Sequence, residues 1–134
     1  MSDQLYPLLS LEWIEKYLEI WNTNDKAIQG TKGMDMLVQM EATDRGRPPV
    51  QLHIDIAGHA DYAGPIRNDG REPDFALAAP SGTWAAVARK EMGVRRAVMG
   101  PITFKGSLAK ALKHFSGLEA ALHQFADVPT DWDI

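Results

Sequence analysis

Cysteine is absent from this chain of 134 residues. Disulfide bonds, catalytic thiolates, cysteine-bound zinc and iron–sulfur clusters are therefore excluded. Long apolar runs are absent too, because no stretch approaches the roughly 18 consecutive apolar residues that a membrane-spanning helix needs. The N-terminus lacks the basic start and apolar segment of a secretory signal. We therefore expect a cytoplasmic protein that does not span a membrane.

Positive charge is in short supply, since 14 Lys and Arg face 18 Asp and Glu and the formal net charge is -4 at pH 7. Nucleic-acid-binding proteins usually carry a basic excess, so we expect no nucleic-acid partner. The basic residues nevertheless cluster between residues 82 and 118, where Glu91 is the single acidic residue. This basic run is typical either of a solvated helix face or of a surface that makes transient contact with an anionic membrane. Its members are Arg89, Lys90, Arg95, Arg96, Lys105, Lys110 and Lys113.

Motifs of catalysis and cofactor binding are also missing. The sequence has no Gly-x-Ser-x-Gly elbow, no phosphate-binding loop and no dinucleotide fingerprint, so we expect neither an enzyme nor a cofactor. The cluster His53, Asp55, His59 and Asp61 matches no metal-site spacing, and we interpret it as the solvent face of a hairpin without a metal. An alternative remains open, in which His53 and Asp55 form the acid–base pair of a small enzyme with a cone-like pocket. That fold should end in long antiparallel strands, whereas this sequence ends in helices.

The composition that remains is typical of a soluble globular domain, with 45% hydrophobic and 24% charged residues. Its length matches one domain, so we expect residues 1–134 to form a single unit with an acidic C-terminal tail from about residue 126. A first helix is predicted over residues 10 to about 22, with Ser10 as its N-cap. Its apolar stripe covers half the circumference and includes Leu11 and Trp13. A second alternative is therefore a ligand-free dimerisation module, or a homodimer, that uses this stripe.

Alternating apolar residues predict five strands near residues 34–42, 50–56, 60–66, 73–78 and 102–105. Further helices are predicted from Ser81 as N-cap to Gly93, over 94–99, over 107–115, and from a capping box that begins at Ser116. This order predicts an α+β fold with helices over one face of the sheet. Five of the six methionines are predicted to face inward, where flexible thioethers suit either an ordinary core or variable apolar ligands. They are Met34, Met36, Met40, Met92 and Met99.

Two consecutive segments, PDFALAAPSGTWAAVARKEM and GVRRAVMGPITFKGSLAKALKHFSGL, resemble the sterol carrier protein 2 family. The matching positions are Asp74, Phe75, Trp84, Gly100, Ile102, Phe104 and Gly106. The resemblance implies a five-stranded mixed sheet, helices over one face, and an apolar tunnel between them. It also implies non-catalytic binding or transfer of a hydrophobic ligand, such as a sterol, fatty acid, acyl-CoA or other lipid.

Carried over by position, the resemblance implies ten residues that line the tunnel. They are Trp84, Val87, Ala88, Met92, Met99, Ile102, Phe104, Leu108, Leu112 and Phe115. Arg89, Arg95, Arg96 or Lys110 would be placed to meet a carboxylate or phosphate of such a ligand.

Overall fold

The computed structural model describes residues 4–133 and has seven strands, six α-helices and one 3-10 helix within them. In chain order they are β1 (Tyr6–Pro7), α1 (Leu11–Trp21), α2 (Asp25–Thr31), β2 (Met36–Ala42), β3 (Val50–Ile54), β4 (Ala60–Pro65), β5 (Phe75–Ala79), α3 (Ser81–Ala88), α4 (Val94–Val98), β6 (Thr103–Gly106), α5 (Leu108–Lys113), α6 (Phe115–His123), the 3-10 helix (Gln124–Asp127) and β7 (Thr130–Asp131).

The main sheet has five strands in the order β4-β3-β2-β5-β6. Its central pair, β2 and β5, is parallel, and the other neighbouring pairs are antiparallel. The predicted α+β fold with a five-stranded mixed sheet is therefore confirmed. Within residues 4–133, no helix has both the length and the apolar content needed to cross a bilayer.

Helix α1 forms where the sequence predicts it, because the Ser10 side chain accepts the Trp13 N–H at 3.2 Å as an N-cap. Its buried side is centred on Trp13 and Tyr17, while Leu11, expected on the apolar face, is 48% exposed. The Trp13 ring packs 4.8 Å from the ring of Phe125, and its indole donates to Thr130 Oγ1 at 2.9 Å. The stripe that was predicted to carry a dimer contact is therefore occupied by the chain's own core. A homodimer through another surface stays a prediction.

Strand β3 is buried on both of its faces, whereas the sequence predicts a hairpin with one face exposed to solvent. Gln51 is 1% and His53 is 8% exposed, because residues 66–74 cover this face of the sheet. The Arg67 N–H donates to Gln51 Oε1 at 2.9 Å, and the Arg71 guanidinium reaches the His53 ring at 3.2 Å. Ile56, the last apolar residue of the strand predicted over 50–56, is 64% exposed, since the strand ends at Ile54.

Two predicted helix starts are wrong. Ser81 is the first residue of α3 rather than its N-cap, and both its N–H and its hydroxyl donate to the Asp44 carboxylate, at 2.9 and 2.8 Å. Helix α6 begins at Phe115, so the Ser116 capping box lies inside the helix and is not used. Residue 114, a histidine, is the N-cap of α6.

Three elements have no counterpart in the predictions. Helix α2 is capped by Asn24, which accepts the Ala27 N–H at 3.3 Å. The short strands β1 and β7 pair in parallel, so the C-terminal residues are joined to the start of the described chain rather than trailing away. The acidic tail predicted from about residue 126 therefore contributes a strand.

Candidate ligand cavity

An apolar cavity of about 40 Å³ lies between the main sheet and helices α1, α2, α5 and α6. Its sheet side consists of residues at alternate positions of β2, β3 and β5 and of one residue just before β2. Alternate residues of a strand point to the same face, and the register places Val38 beside both Leu52 and Phe75. The sheet-side residues are Met34, Met36, Val38, Met40, Leu52, Ile54, Phe75 and Leu77.

The helix side of the cavity is formed by residues from distant parts of the sequence. Tyr17 and Trp21 are four residues apart on α1 and therefore lie on one face of it. Thr31 comes from the last turn of α2, and the remaining residues come from α5, α6 and the junction between them. These remaining residues are Ala111, His114, Leu118, Ala121 and Leu122.

Most polar atoms around the cavity already have partners. The Tyr17 hydroxyl donates to the Ala121 carbonyl at 2.6 Å, and burial raises the pKa of this phenol far above its ordinary value. The Trp21 indole donates to the Gly58 carbonyl at 2.8 Å, and the Thr31 hydroxyl donates to the Ala27 carbonyl at 2.8 Å. The cavity therefore offers a nearly continuous hydrocarbon and thioether surface.

Helix α6 is held firmly by α2. A Cβ added to Gly117 would lie 2.5 Å from the Gly30 carbonyl oxygen, so the two backbones approach more closely than any larger residue allows. Gln124, just after α6, donates to the Tyr17 carbonyl at 3.0 Å and accepts from Asn24 at 3.0 Å. This wall of the cavity is fixed by contacts on two sides.

Of the four helices around the cavity, α5 has the fewest buried residues. It has six residues, and Ala111 is its one buried residue. Its N-cap, Ser107, accepts the Lys110 N–H at 3.1 Å on the exposed side. Because little apolar surface holds this helix in place, it can be displaced at a lower cost in free energy than α1 or α6.

The ten residues that the resemblance implies for a tunnel lie elsewhere in the structure, and none of them lines this cavity. Trp84, Val87, Ala88 and Ile102 are buried core residues, and the Trp84 ring stacks on Phe125 at 4.9 Å. Met99 is 63% exposed at the end of α4, so its predicted inward position is wrong. The other five, Met92, Phe104, Leu108, Leu112 and Phe115, are half-buried. As ligand contacts all ten stay a prediction.

The strand residues of the cavity were within reach of sequence reasoning. Met34, Met36 and Met40 belong to the inward set that the two-residue period predicts, and the structure places all three at the cavity. The helix residues were missed, because periodicity identifies the buried side of a helix but not which part of the sheet it covers.

The predicted His53/Asp55 pair does not form. His53 Nδ1 lies 2.5 Å from Asp61 Oδ1 and its Nε2 lies 2.8 Å from Asp35 Oδ1. Asp55 accepts the N–H groups of Ala57 and His59 in the turn after β3. His53 alternates with Leu52 and Ile54, which line the cavity, so it lies on the opposite face of the sheet. Across residues 4–133, no three His, Asp or Glu side chains are grouped as a metal ion requires.

The basic run is exposed along its whole length, from Arg89 to Lys113. The Arg89 guanidinium lies 5.9 Å from the centre of the Trp132 ring, and that of Arg95 lies 5.1 Å from the centre of the Phe115 ring. These positions agree with a solvated face and equally with a membrane contact.

Comparison with solved structures identifies the fold. The chain superposes on a crystal structure of sterol carrier protein 2 with a TM-score of 0.72 and 18% identity, over 90% of this chain and 98% of the other. A conserved hypothetical protein of Thermus thermophilus, described in its name as a candidate sterol carrier protein, gives a TM-score of 0.69 and 15% identity over 97% and 94% of the two chains. This chain therefore has the sterol carrier protein 2 fold.

The same fold occurs inside a larger protein. A double mutant of the sec-alkyl sulfatase PisA1, an enzyme from Pseudomonas sp., matches with a TM-score of 0.56 and 15% identity over 74% of this chain but 15% of its own. No protein-family model matches the sequence, and no curated protein does.

Proposed function

We propose that this chain binds a hydrophobic ligand, such as a sterol, a fatty acid, an acyl-CoA or another lipid, between the sheet and helices α1, α2, α5 and α6, without catalysing a reaction on it. The observation that carries the proposal is the nearly continuous apolar lining of the cavity. Burial of an alkyl chain there would favour binding by about 0.8 kcal/mol for each CH₂ group. The fold shared with sterol carrier protein 2 supports the same function.

The cavity must widen to hold such a ligand. Its volume is about 40 Å³, whereas small-molecule pockets usually measure about 300–1,000 Å³. We propose that α5 moves outward, since α6 is anchored to α2 at Gly117 and α5 has a single buried residue. The methionines on the sheet side can then change rotamers to fit different ligand shapes.

A binding role without catalysis is supported by two of the polar groups at the cavity. Tyr17 and Thr31 are both bonded to main-chain carbonyls, so neither is free to act as an acid or a base there. The acid–base alternative loses its residue pair, because His53 and Asp55 have separate partners. The cytoplasmic location and the transient contact with an anionic membrane stay predictions.

Native mass spectrometry of the purified protein would show whether a lipid is bound. Uptake of a fluorescent fatty acid by two variants of α5 would show whether it binds in the cavity. Ala111→Phe places a phenyl ring in the cavity, so we expect uptake to fall by about tenfold or more. The matched control is Ala109→Phe on the exposed side of the same helix, which should bind like the wild type.

Equal uptake by the two variants, with unchanged unfolding midpoints, would place the ligand elsewhere. If Ala111→Phe fails to fold, Ala121→Leu on α6 tests the same wall with a smaller change. A wild-type protein that carries no lipid and takes none up would refute the proposed function.

A further inference from the structure

His114 differs from every other polar residue at the cavity. Its imidazole makes no hydrogen bond, ion pair or ring contact with the residues that the structure describes. Tyr17 and Thr31, in contrast, are bonded to carbonyl groups of their own chain. His114 is half-buried and is one of the residues that line the cavity. An imidazole in this position has donor and acceptor capacity to offer to a bound molecule.

The backbone at His114 is tied to the first turn of α6. The residue joins α5 to α6, and its carbonyl accepts the N–H groups of Gly117 at 3.0 Å and Leu118 at 3.2 Å. Gly117 is in turn packed against Gly30. His114 therefore belongs to the anchored wall, although it lies at the end of the helix that we expect to move.

The charges near this junction are mostly positive. Lys110 and Lys113 occupy the last turn of α5, and the Arg95 guanidinium lies over the ring of Phe115, the residue next to His114. The first acidic residue that follows in the chain, Glu119, is exposed on α6. This arrangement favours an anionic group over a neutral or cationic one beside His114.

From these observations we infer that His114 binds the carboxylate of a long-chain acid whose alkyl chain occupies the cavity. The imidazole donates an N–H to the carboxylate, and the neighbouring basic side chains add long-range attraction. This inference rests on the proposed function, because it names the ligand class of the same cavity.

The test compares a fluorescent long-chain fatty acid with its methyl ester, which has the same chain but no charge. For His114→Leu we expect affinity for the acid to fall by about tenfold, which is the effect of losing one charge-assisted hydrogen bond. Affinity for the ester should stay within about twofold of the wild type. His114→Gln, which keeps a hydrogen-bond donor, should recover part of the loss.

The matched control is His123→Leu, since His123 lies on α6 outside the cavity and should discriminate acid from ester like the wild type. Equal affinities of the wild type and both His114 variants for the acid would overturn the inference, and so would an equal loss for acid and ester. In both cases the proposed function stands, because the ligands still bind the wild type. If neither ligand binds the wild type, both proposals fail.

Discussion

At the scale of single residues, Asp44 shows how a distant side chain can replace a local helix cap. Pro80, the N-cap of α3, has no side-chain acceptor, and Asp44 supplies one by bonding to the N–H and hydroxyl of Ser81. These hydrogen bonds lower the pKa of the Asp44 carboxyl below its ordinary value. The group is exposed, so solvent screening keeps its contribution to stability small.

Asp44→Ala should lower the free energy of unfolding by about 1 kcal/mol at pH 7, which is the usual effect of losing a helix cap. Because the folded pKa is depressed, this stabilisation is present above the unfolded pKa of about 4 and is lost as the pH falls through the folded value. Urea unfolding at a series of pH values measures the difference. Asp133→Ala, an exposed carboxylate whose side chain caps no helix, serves as the control. A gap that is constant down to pH 3 would contradict this explanation.

At the scale of elements, a close helix contact joins α2 and α6 through Gly30 and Gly117. Helix α2 was missed from the sequence partly for this reason, since a glycine inside a seven-residue helix looks like a break. The role of Gly30 depends on a residue in the last third of the chain. The misassigned starts at Ser81 and Ser116 have a similar cause, because Asp44 and the α5–α6 junction override local capping signals. Helix α1 was predicted correctly because its cap and its apolar period are both local.

Gly117→Ala should destabilise the protein by about 1–2 kcal/mol, although alanine is the better helix former. A new Cβ would meet the Gly30 carbonyl at 2.5 Å, and the cost of overpacking, about 1–3 kcal/mol, exceeds the gain in helix propensity of about 1 kcal/mol. Gly82→Ala is the matched control, because a Cβ there has no atom within 4 Å. It should leave stability unchanged or raise it slightly. Denaturant unfolding of both variants checks the opposite signs, and a stabilised Gly117→Ala would refute the close contact.

At the scale of the whole molecule, the fold and the sheet side of the cavity could be predicted from sequence, whereas the helix side could not. Alternation along the strands gives the face of every residue, and Met36 and Met40 were assigned correctly. The specific part of the resemblance covered residues 73–118, and it implied lining residues such as Trp84, whose ring here stacks on Phe125 and does not line the cavity. Which helix lies over which strand depends on long-range packing that no local pattern records.

Hydrogen exchange over the whole chain, with and without a bound fatty acid, distinguishes binding in the cavity beneath α5 from binding in the tunnel that the resemblance implied. Without ligand, the amides of α5 should exchange fastest among the helices around the cavity, because Ala111 alone is buried. With ligand at about 100 times its dissociation constant, global stability should rise by about 2.7 kcal/mol. Additional protection should be largest in residues 107–114, where the alkyl chain gives α5 new apolar contacts. Helix α1, already packed through Trp13 and Phe125, should change least. Protection centred on residues 84–104 and not on α5 would mean that the ligand occupies the tunnel that the resemblance implied and not the cavity beneath α5.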